Sequence, residues 1–287
     1  EVKNRISSQA ISIPKNDLYT KSVLNIINAG NFNPSKQTDR ADEMRRVHKT
    51  FLGYVDVSMS ADTGEPVGLV KQMACMASIS LATSSYNLKK ILLADSLILR
   101  DVQPEDINSH RLAKVYVNGD WIGCCQYAHD VALKYRLLRR EKGIHRRTSI
   151  VWEPLVRKVK FYVDAGRIHR PLIIAYNNLA EYVAQYQAGN KEAQFNQWIK
   201  LTKQHIRGII TNRLTMEDLE EQQIIEYISA EEQENTYLAE NLDILRQDKN
   251  NIHYKYTHCD IDQAIFGIVT LASPLANHSN ATRITYF

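Results

Sequence analysis

The chain has 287 residues, of which 44% are hydrophobic and 24% charged, with a formal net charge of +4. That composition is globular, with length for two or three cored modules, and fifteen tyrosines with seven prolines do not suggest disorder. No run of eighteen apolar residues occurs and the opening EVKNRISSQAISIPKND has no apolar core, so neither a membrane-spanning helix nor a signal peptide is expected. The chain does not begin with Met, which points to a portion of something longer.

In chain order, Val23, Ile26 and Ile27 recur at helical spacing and the pattern stops at Gly30. Residues 33–44 are loop-like. After Gly68, the spacing of Leu69, Met73, Met76, Ala77 and Ser80 predicts a helix with its methionines in the core. Residues 90–102 read as apolar strands. Val115 to Gly123 reads as a hairpin turning at Asn118-Gly119. Residues 127–142 read as a basic helix stopped by Gly143, with Arg139 and Arg140 on a peripheral face. Ser149-Ile150-Val151 opens the next strands.

Val159, Phe161 and Val163 alternate with Lys158, Lys160 and Tyr162, the period of a half-buried strand. Asp164-Ala165-Gly166 makes a turn with Gly166 free to take positive φ. Leu172-Ile173-Ile174 suits a buried strand, so the stretch reads as a β-hairpin. Residues 191–206 predict a helix with Phe195, Trp198 and Leu201 on one side, and Thr215 with Asp218 three later predicts a capping box.

Charge is laid out unevenly. Residues 134–170 carry twelve Lys/Arg against three Asp/Glu, and 217–243 carry ten Asp/Glu and no Lys/Arg. The basic block has two readings: nucleic-acid contact, or charge that solvates one face or pairs with neighbouring subunits. Glu231, Glu232 and Glu234 read as a solvated face. Cys75, Cys124, Cys125 and Cys259 form no CxxC pair, which argues for free thiols in a reducing, intracellular compartment and against a zinc site.

Residue identities add a resemblance. The run Val163, Asp164, Ala165, Gly166, Arg167, Ile168, His169, Arg170, Pro171, Leu172 resembles the T-D-A-G-R-hydrophobic-x-R-P-L stretch of the second-largest subunit of multisubunit DNA-dependent RNA polymerases. Further landmarks follow the same order. Arg45, His48 and Gly53 resemble the R-x-x-H before a hydrophobic-Gly step, and Gly68-Leu69-Val70-Lys71 a later helix-leading motif. Val115 to Gly123 resembles V-F-V-N-G-x-x-x-G. Asp218-Leu219 with Glu226 to Glu232 resembles D-L-…-E-Y-I-D-A-E-E, and Tyr256 to Ile261 resembles Y-T-H-C-E-I. His278, Arg283, Thr285 and Tyr286 fit an H-N-Q-S-P-R-N-T-Y stretch. The turn Asp62 to Pro66 departs from the family, and such altered spacings suggest a divergent member of viral, phage or plasmid type.

The resemblance implies an α+β fold of several modules, with mixed sheets, hairpins and helices. Residues 1–94 would be fork-like, 95–175 and 176–270 two external modules, and 271–287 the start of the hybrid-binding region. It implies a structural and substrate-positioning part in DNA-directed RNA synthesis, with no activity for this chain alone and no catalytic or metal-binding residue on it. Mg²⁺ would be held by the partner largest (β′-type) subunit. The other partners would be the remainder of its own subunit, DNA template, RNA and NTPs, without a membrane, in the cell or in a virion. Arg283 matches the arginine near the triphosphate of the incoming nucleotide, a task that suits a planar guanidinium; the alternative is a pair with an acidic neighbour. Arg45, Arg46 and Lys49 lie in the fork-like part and would touch backbone phosphates, or form a surface cluster.

His278 reads as a hydrogen-bonding structural residue, and adjacent His258 and Cys259 point to opposite faces of a strand, which does not suit a nucleophile pair. Two rival functions stay open: a free-standing basic nucleic-acid-binding module using 134–170, and a scaffold whose Arg283 touches no nucleotide.

Overall fold

A computed structural model describes residues 48–60, 71–100, 102–109, 111–188, 195–247, 256–261 and 264–275. One unit comprises 1–77 with 262–287, the other 78–261. The elements are mixed helices and sheets, an α+β fold. Among the described residues no helix is long and apolar enough to cross a membrane. The expected helix at 18–29 lies outside the described residues.

In the first unit, β1 (Val55–Ser60) pairs antiparallel with β2 (Lys71–Met73). The helix Ile268–Ala272 packs here, its buried Thr270 donating from Oγ1 to Oδ2 of buried Asp56 at 2.9 Å. Gly267 is what permits that approach, since a Cβ there would fall 2.4 Å from the Asp56 carboxylate. The helix expected after Gly68 is absent from 71–80, which instead form β2 and β3 (Ser78–Ile79). Met73 is half exposed and Ala74 takes the buried place. Strand pairing by the backbone overrode a weak helical period.

The second unit holds two sheets. Helix α1 (Ser85–Ala94) takes 90–94 from the stretch 90–102 expected as strands. Leu88 and Leu92, four apart, turn inward from it, while Leu99 makes only an isolated bridge to Cys124. Helix α2 (Pro104–Ser109) follows. Strands β4 (Ala113–Val117) and β5 (Asp120–Cys125) form the predicted hairpin, with Asn118 and Gly119 at φ +49° and +90° as a tight primed turn requires. Helix α3 (Ala128–Arg140) then crosses to β6 (Ser149–Glu153), which forms a hairpin with β7 (Lys158–Tyr162). The two hairpins join through parallel β4 and β7, giving the order β5-β4-β7-β6. Val115, Val117, Val159 and Phe161 pack against Leu88 and Leu92 of α1 and Val131 and Tyr135 of α3.

Strand β8 (Ile168–Asn177) is the spine of the second sheet, buried from His169 to Ala175. The chain continues through α4 (Leu179–Gln187), β9 (Gln197–Ile199), α5 (Lys203–Ile210), α6 (Met216–Glu221) and β10 (Ile225–Ser229). Short elements complete it: α7 (Ala230–Gln233), β11 (Leu238–Ala239), α8 (Leu242–Gln247) and β12 (His258–Cys259). The sheet order is β10-β8-β12-β11, with β3 and β9 also paired to β8. Thr215 caps α6 with Asp218 as its spacing predicts. The single helix expected over 191–206 is corrected to β9 and α5. Thr202 and His205 form the α5 cap and Trp198 sits in a strand paired with Tyr176.

The Asp164 to Gly166 stretch is not the loop of a hairpin. β7 and β8 belong to different sheets, and the turn carries the chain between them. Ser80 holds the crossing: its carbonyl accepts from Gly166 N–H at 3.0 Å and its Oγ accepts from Arg167 N–H at 3.0 Å. Gly166 has φ +84° and nothing within 4 Å of the place a Cβ would take. A β-branched residue would therefore pay through the backbone alone. Gly166→Val is expected to destabilise by about 1–3 kcal/mol and Gly166→Asn by less. A urea midpoint for the valine variant equal to that of the parent chain would overturn this reading of the turn.

Candidate functional site: a buried arginine–glutamate centre

Helix α3 places Ala128, Val131, Ala132, Tyr135 and Arg139 on one buried stripe, so an arginine occupies a position that helical spacing assigns to the core. Arg139 is only 3% exposed. Across from it, β10 is buried along its whole length, which carries Glu226 inward, and Glu232 of the next helix is 1% exposed.

The three groups meet in near-saturated geometry. Arg139 donates from Nε to Glu226 Oε1 at 2.9 Å. Its Nη1 and Nη2 donate to the two oxygens of Glu232, both at 2.9 Å, and Nη1 also reaches the carbonyl of Thr148 at 2.6 Å. Arg140 forks onto Glu226 Oε2 through Nε and Nη2 at 2.9 and 2.8 Å. His258 Nε2 lies 3.3 Å from the same oxygen. Glu232 also accepts the backbone N–H of Ile150 and has Arg136 Nε at 3.4 Å.

These contacts set the charge states. Burial pushes the Glu226 carboxyl up, but Arg139 and Arg140 outweigh it and hold the group well below the usual carboxylate range. Burial works against the Arg139 charge, and Glu226 with Glu232 more than offsets it, so its pKa is raised. Burial lowers His258, with Glu226 pulling the other way. A buried pair of this kind stands only because geometry and hydrogen bonding are complete.

The centre is one part of a wider pairing. Arg136, Arg139, Arg140, Lys142, Arg146, Arg147 and Lys160, seven of the twelve cations in 134–170, meet Glu220, Glu221, Glu226, Glu231 and Glu232 of the acidic block. Arg147 also stacks 3.7 Å over the Tyr227 ring. More than half of the basic block is thus paired with the acidic block within the chain. The peripheral reading of Arg139 and Arg140 and the solvated reading of Glu232 are corrected by this burial. Sequence reasoning missed the centre, although an arginine on the apolar stripe of α3 and a glutamate inside the run Ile225 to Ile228 were its visible signals.

The centre has no free acid, base or nucleophile, and its cavity of about 20 Å³ has room for roughly one water. What it can do is lock α3 of one sheet layer to β10 and α7 of the other. His258 and Cys259 do not pair: the Cys259 thiol faces the carbonyl of Asp260 at 3.6 Å. Burial pushes the Cys125 thiol up to about 12, which makes it inert. Among the described residues no group of three or more His, Cys, Asp or Glu could hold a metal. Arg283, Arg45 and Arg46, like His278, lie outside the described residues. Lys49 opens the 3-10 turn Lys49–Phe51.

Nearby, buried His169 lies between Ser149 Oγ (3.3 Å from Nε2) and the Arg167 carbonyl (3.2 Å from Nδ1). Burial first, and the Arg167 charge next, lower its pKa to about 4 from an ordinary 6.5. Between those values the unfolded chain binds a proton that the folded chain does not. Stability therefore holds above pH 6.5 and falls as pH drops toward 4; His258 acts in the same direction. His169→Asn is expected to flatten part of that slope. Urea unfolding at pH 7.5, 6 and 5 checks it, and parallel slopes for both proteins would contradict it.

Residues 15–79 match the family model RNA polymerase Rpb2, domain 3, and residues 115–176 match RNA polymerase Rpb2, domain 4. DNA-directed RNA polymerase II subunit RPB2 of Encephalitozoon cuniculi is 28% identical over 263 residues, covering 88% of this chain and 21% of that protein. The RPB2 of Schizosaccharomyces pombe is 29% identical, covering 84% and 22%. DNA-directed RNA polymerase subunit Rpo2 of Sulfolobus acidocaldarius is 28% identical, covering 85% and 20%. These relatives are eukaryotic and archaeal, and the chain spans about a fifth of their length. Two family domains in order, and relatives aligned over most of the chain, support a central fragment of the second-largest subunit of multisubunit DNA-dependent RNA polymerase.

Proposed function

We propose that this chain works as a structural and substrate-positioning section of a DNA-directed RNA polymerase, shaping the active-centre cleft from the second-largest subunit. The observation that carries this reading is the ordered match to two consecutive Rpb2 domains. The internal pairing of the two charge blocks supports it against the rival of an autonomous nucleic-acid-binding module, because those cations already have partners. On this reading the chain assembles with a largest, β′-type subunit that holds Mg²⁺ and with the remainder of its own subunit. The modules 95–175 and 176–270 are external to the cleft. Arg283 contacts the incoming NTP, while Arg45, Arg46 and Lys49 contact nucleic-acid phosphates near the fork.

The test is affinity purification of the tagged native protein followed by mass analysis of the intact complex. Stoichiometric recovery of a β′-type subunit is expected. A monomer that retains every function assigned to it in cells would overturn the reading.

A further inference from the structure

Residues in register across a sheet share one face. The face of the first sheet that turns away from α1 and α3 carries Lys114 and Tyr116 of β4, Lys158, Lys160 and Tyr162 of β7, and Trp121 of β5. At the β6 end this face is closed: α7 packs there, and Lys160 is held by Glu153 at 2.6 Å and Glu231 at 2.8 Å. At the β5 end it is open, with Lys114, Tyr116 and Lys158 half-buried and Trp121 53% exposed.

Lys114 and Lys158 are register partners across parallel β4 and β7, which sets their stems about 4.8 Å apart. Neither has an ion-pair partner among the described residues. The nearby carboxylates are taken elsewhere: Glu153, in register with Lys158, holds Lys160, and Asp120 holds Lys89 at 2.6 Å. Each ammonium instead leans over a ring, Lys114 at 5.6 Å from the Trp121 centroid and Lys158 at 5.9 Å from that of Tyr116, a contact that does not neutralise the charge. Two like charges side by side repel, and a carboxylate set between them removes that repulsion. Beside Trp121 lies a cavity of about 260 Å³ whose lining includes Leu99, Val102 and Ile122, together with Arg100 and no carboxylate. Leu99 closes the β5 edge through two backbone hydrogen bonds to Cys124, at 2.7 and 2.8 Å, so an occupant meets the face rather than the edge.

We propose that this face docks an acidic, aromatic-containing segment of a partner protein. One carboxylate of the segment lies between Lys114 and Lys158, and a neighbouring apolar side chain enters the cavity beside Trp121, where Arg100 takes a second carboxylate. Charge complementarity selects an acidic partner, and the apolar cavity selects a segment with apolar residues interspersed among the acidic ones. Asp120 and Glu153 flank the two lysines, which disfavours the continuous charge of a nucleic-acid strand. The inference uses neither the Arg283 contact nor the paired cations of the charged centre.

The test is fluorescence anisotropy of the full chain with a labelled peptide of repeated glutamate-glutamate-phenylalanine, beside the same peptide with glutamine in place of glutamate. Only the acidic peptide is expected to bind. Lys114→Gln and Lys158→Gln are each expected to weaken it about tenfold, Trp121→Ala to weaken it comparably, and Arg146→Gln to leave it unchanged. Each lysine change removes one of two adjacent like charges, so unfolding temperatures should hold or rise. No binding of the acidic peptide up to about 1 mM, equal binding of both peptides, or binding indifferent to the lysine changes would overturn the proposal. Tighter binding of a single-stranded oligonucleotide that the lysine changes weaken would also overturn it, by making the face a nucleic-acid platform.

Discussion

Arg139→Ala is expected to destabilise the 78–261 unit by about 3–5 kcal/mol, the cost of leaving buried carboxylates without their cation. Glu226 keeps Arg140, but Glu232 loses both guanidinium hydrogen bonds and is left with the Ile150 N–H and the more distant Arg136, and the Thr148 carbonyl loses its Arg139 donor. Arg139→Lys should recover little, because one ammonium cannot span two carboxylates and a carbonyl as the guanidinium fork does. Replacing Arg139, Glu226 and Glu232 together by apolar residues of similar volume should cost far less than the single change, since no charge is then stranded. Denaturant unfolding of these variants measures the difference. A loss below about 1 kcal/mol for Arg139→Ala, the range of an exposed pair, would mean that the centre is not holding the two sheets together.

Arg283→Ala is expected to lower kcat/KM for nucleotide addition about a hundredfold in the assembled polymerase. That loss corresponds to roughly 3 kcal/mol, the scale of one or two charge-assisted hydrogen bonds to a triphosphate. Arg283→Lys should restore only part, keeping charge but losing the fork. Assembly and binding to an RNA–DNA scaffold should stay near the parent values, because the contact forms with the nucleotide alone. Single-nucleotide extension across NTP concentrations separates the outcomes. An unchanged kcat/KM would leave Arg283 as a packing or salt-bridge residue and favour the scaffold reading.

Much of the first sheet was legible because its signals are local. Asn118-Gly119 demands a primed turn, and Val159 with Phe161 declares one buried face, so the hairpin and strand follow from a few adjacent residues. The pairing of β7 with β4, and of β8 with β10, joins residues far apart in sequence, and a turn such as Asp164 to Gly166 looks the same within one sheet as between two. The stretch 71–80 shows the converse error: a helical period across Met73 and Met76 yielded to strand pairing with β1 and β8. At the charged centre, composition gave the two blocks but not their partnership. Arg139 and Glu226 are 87 residues apart and only the packing of α3 on the second layer brings them together. The resemblance carried the family, since motif identity and order survive where register does not.

The central claim is that the basic block is committed internally and that the chain acts as a section of a larger polymerase. The most direct test is DNA binding by the full chain as a function of salt. Were the seven paired cations phosphate contacts, log K against log[salt] would fall with a slope of about −6. The account predicts a slope no steeper than about −3, the share of Arg45, Arg46 and Lys49, with no change for Arg146→Gln or Arg147→Gln. A slope near −6 that flattens in those two variants would contradict it.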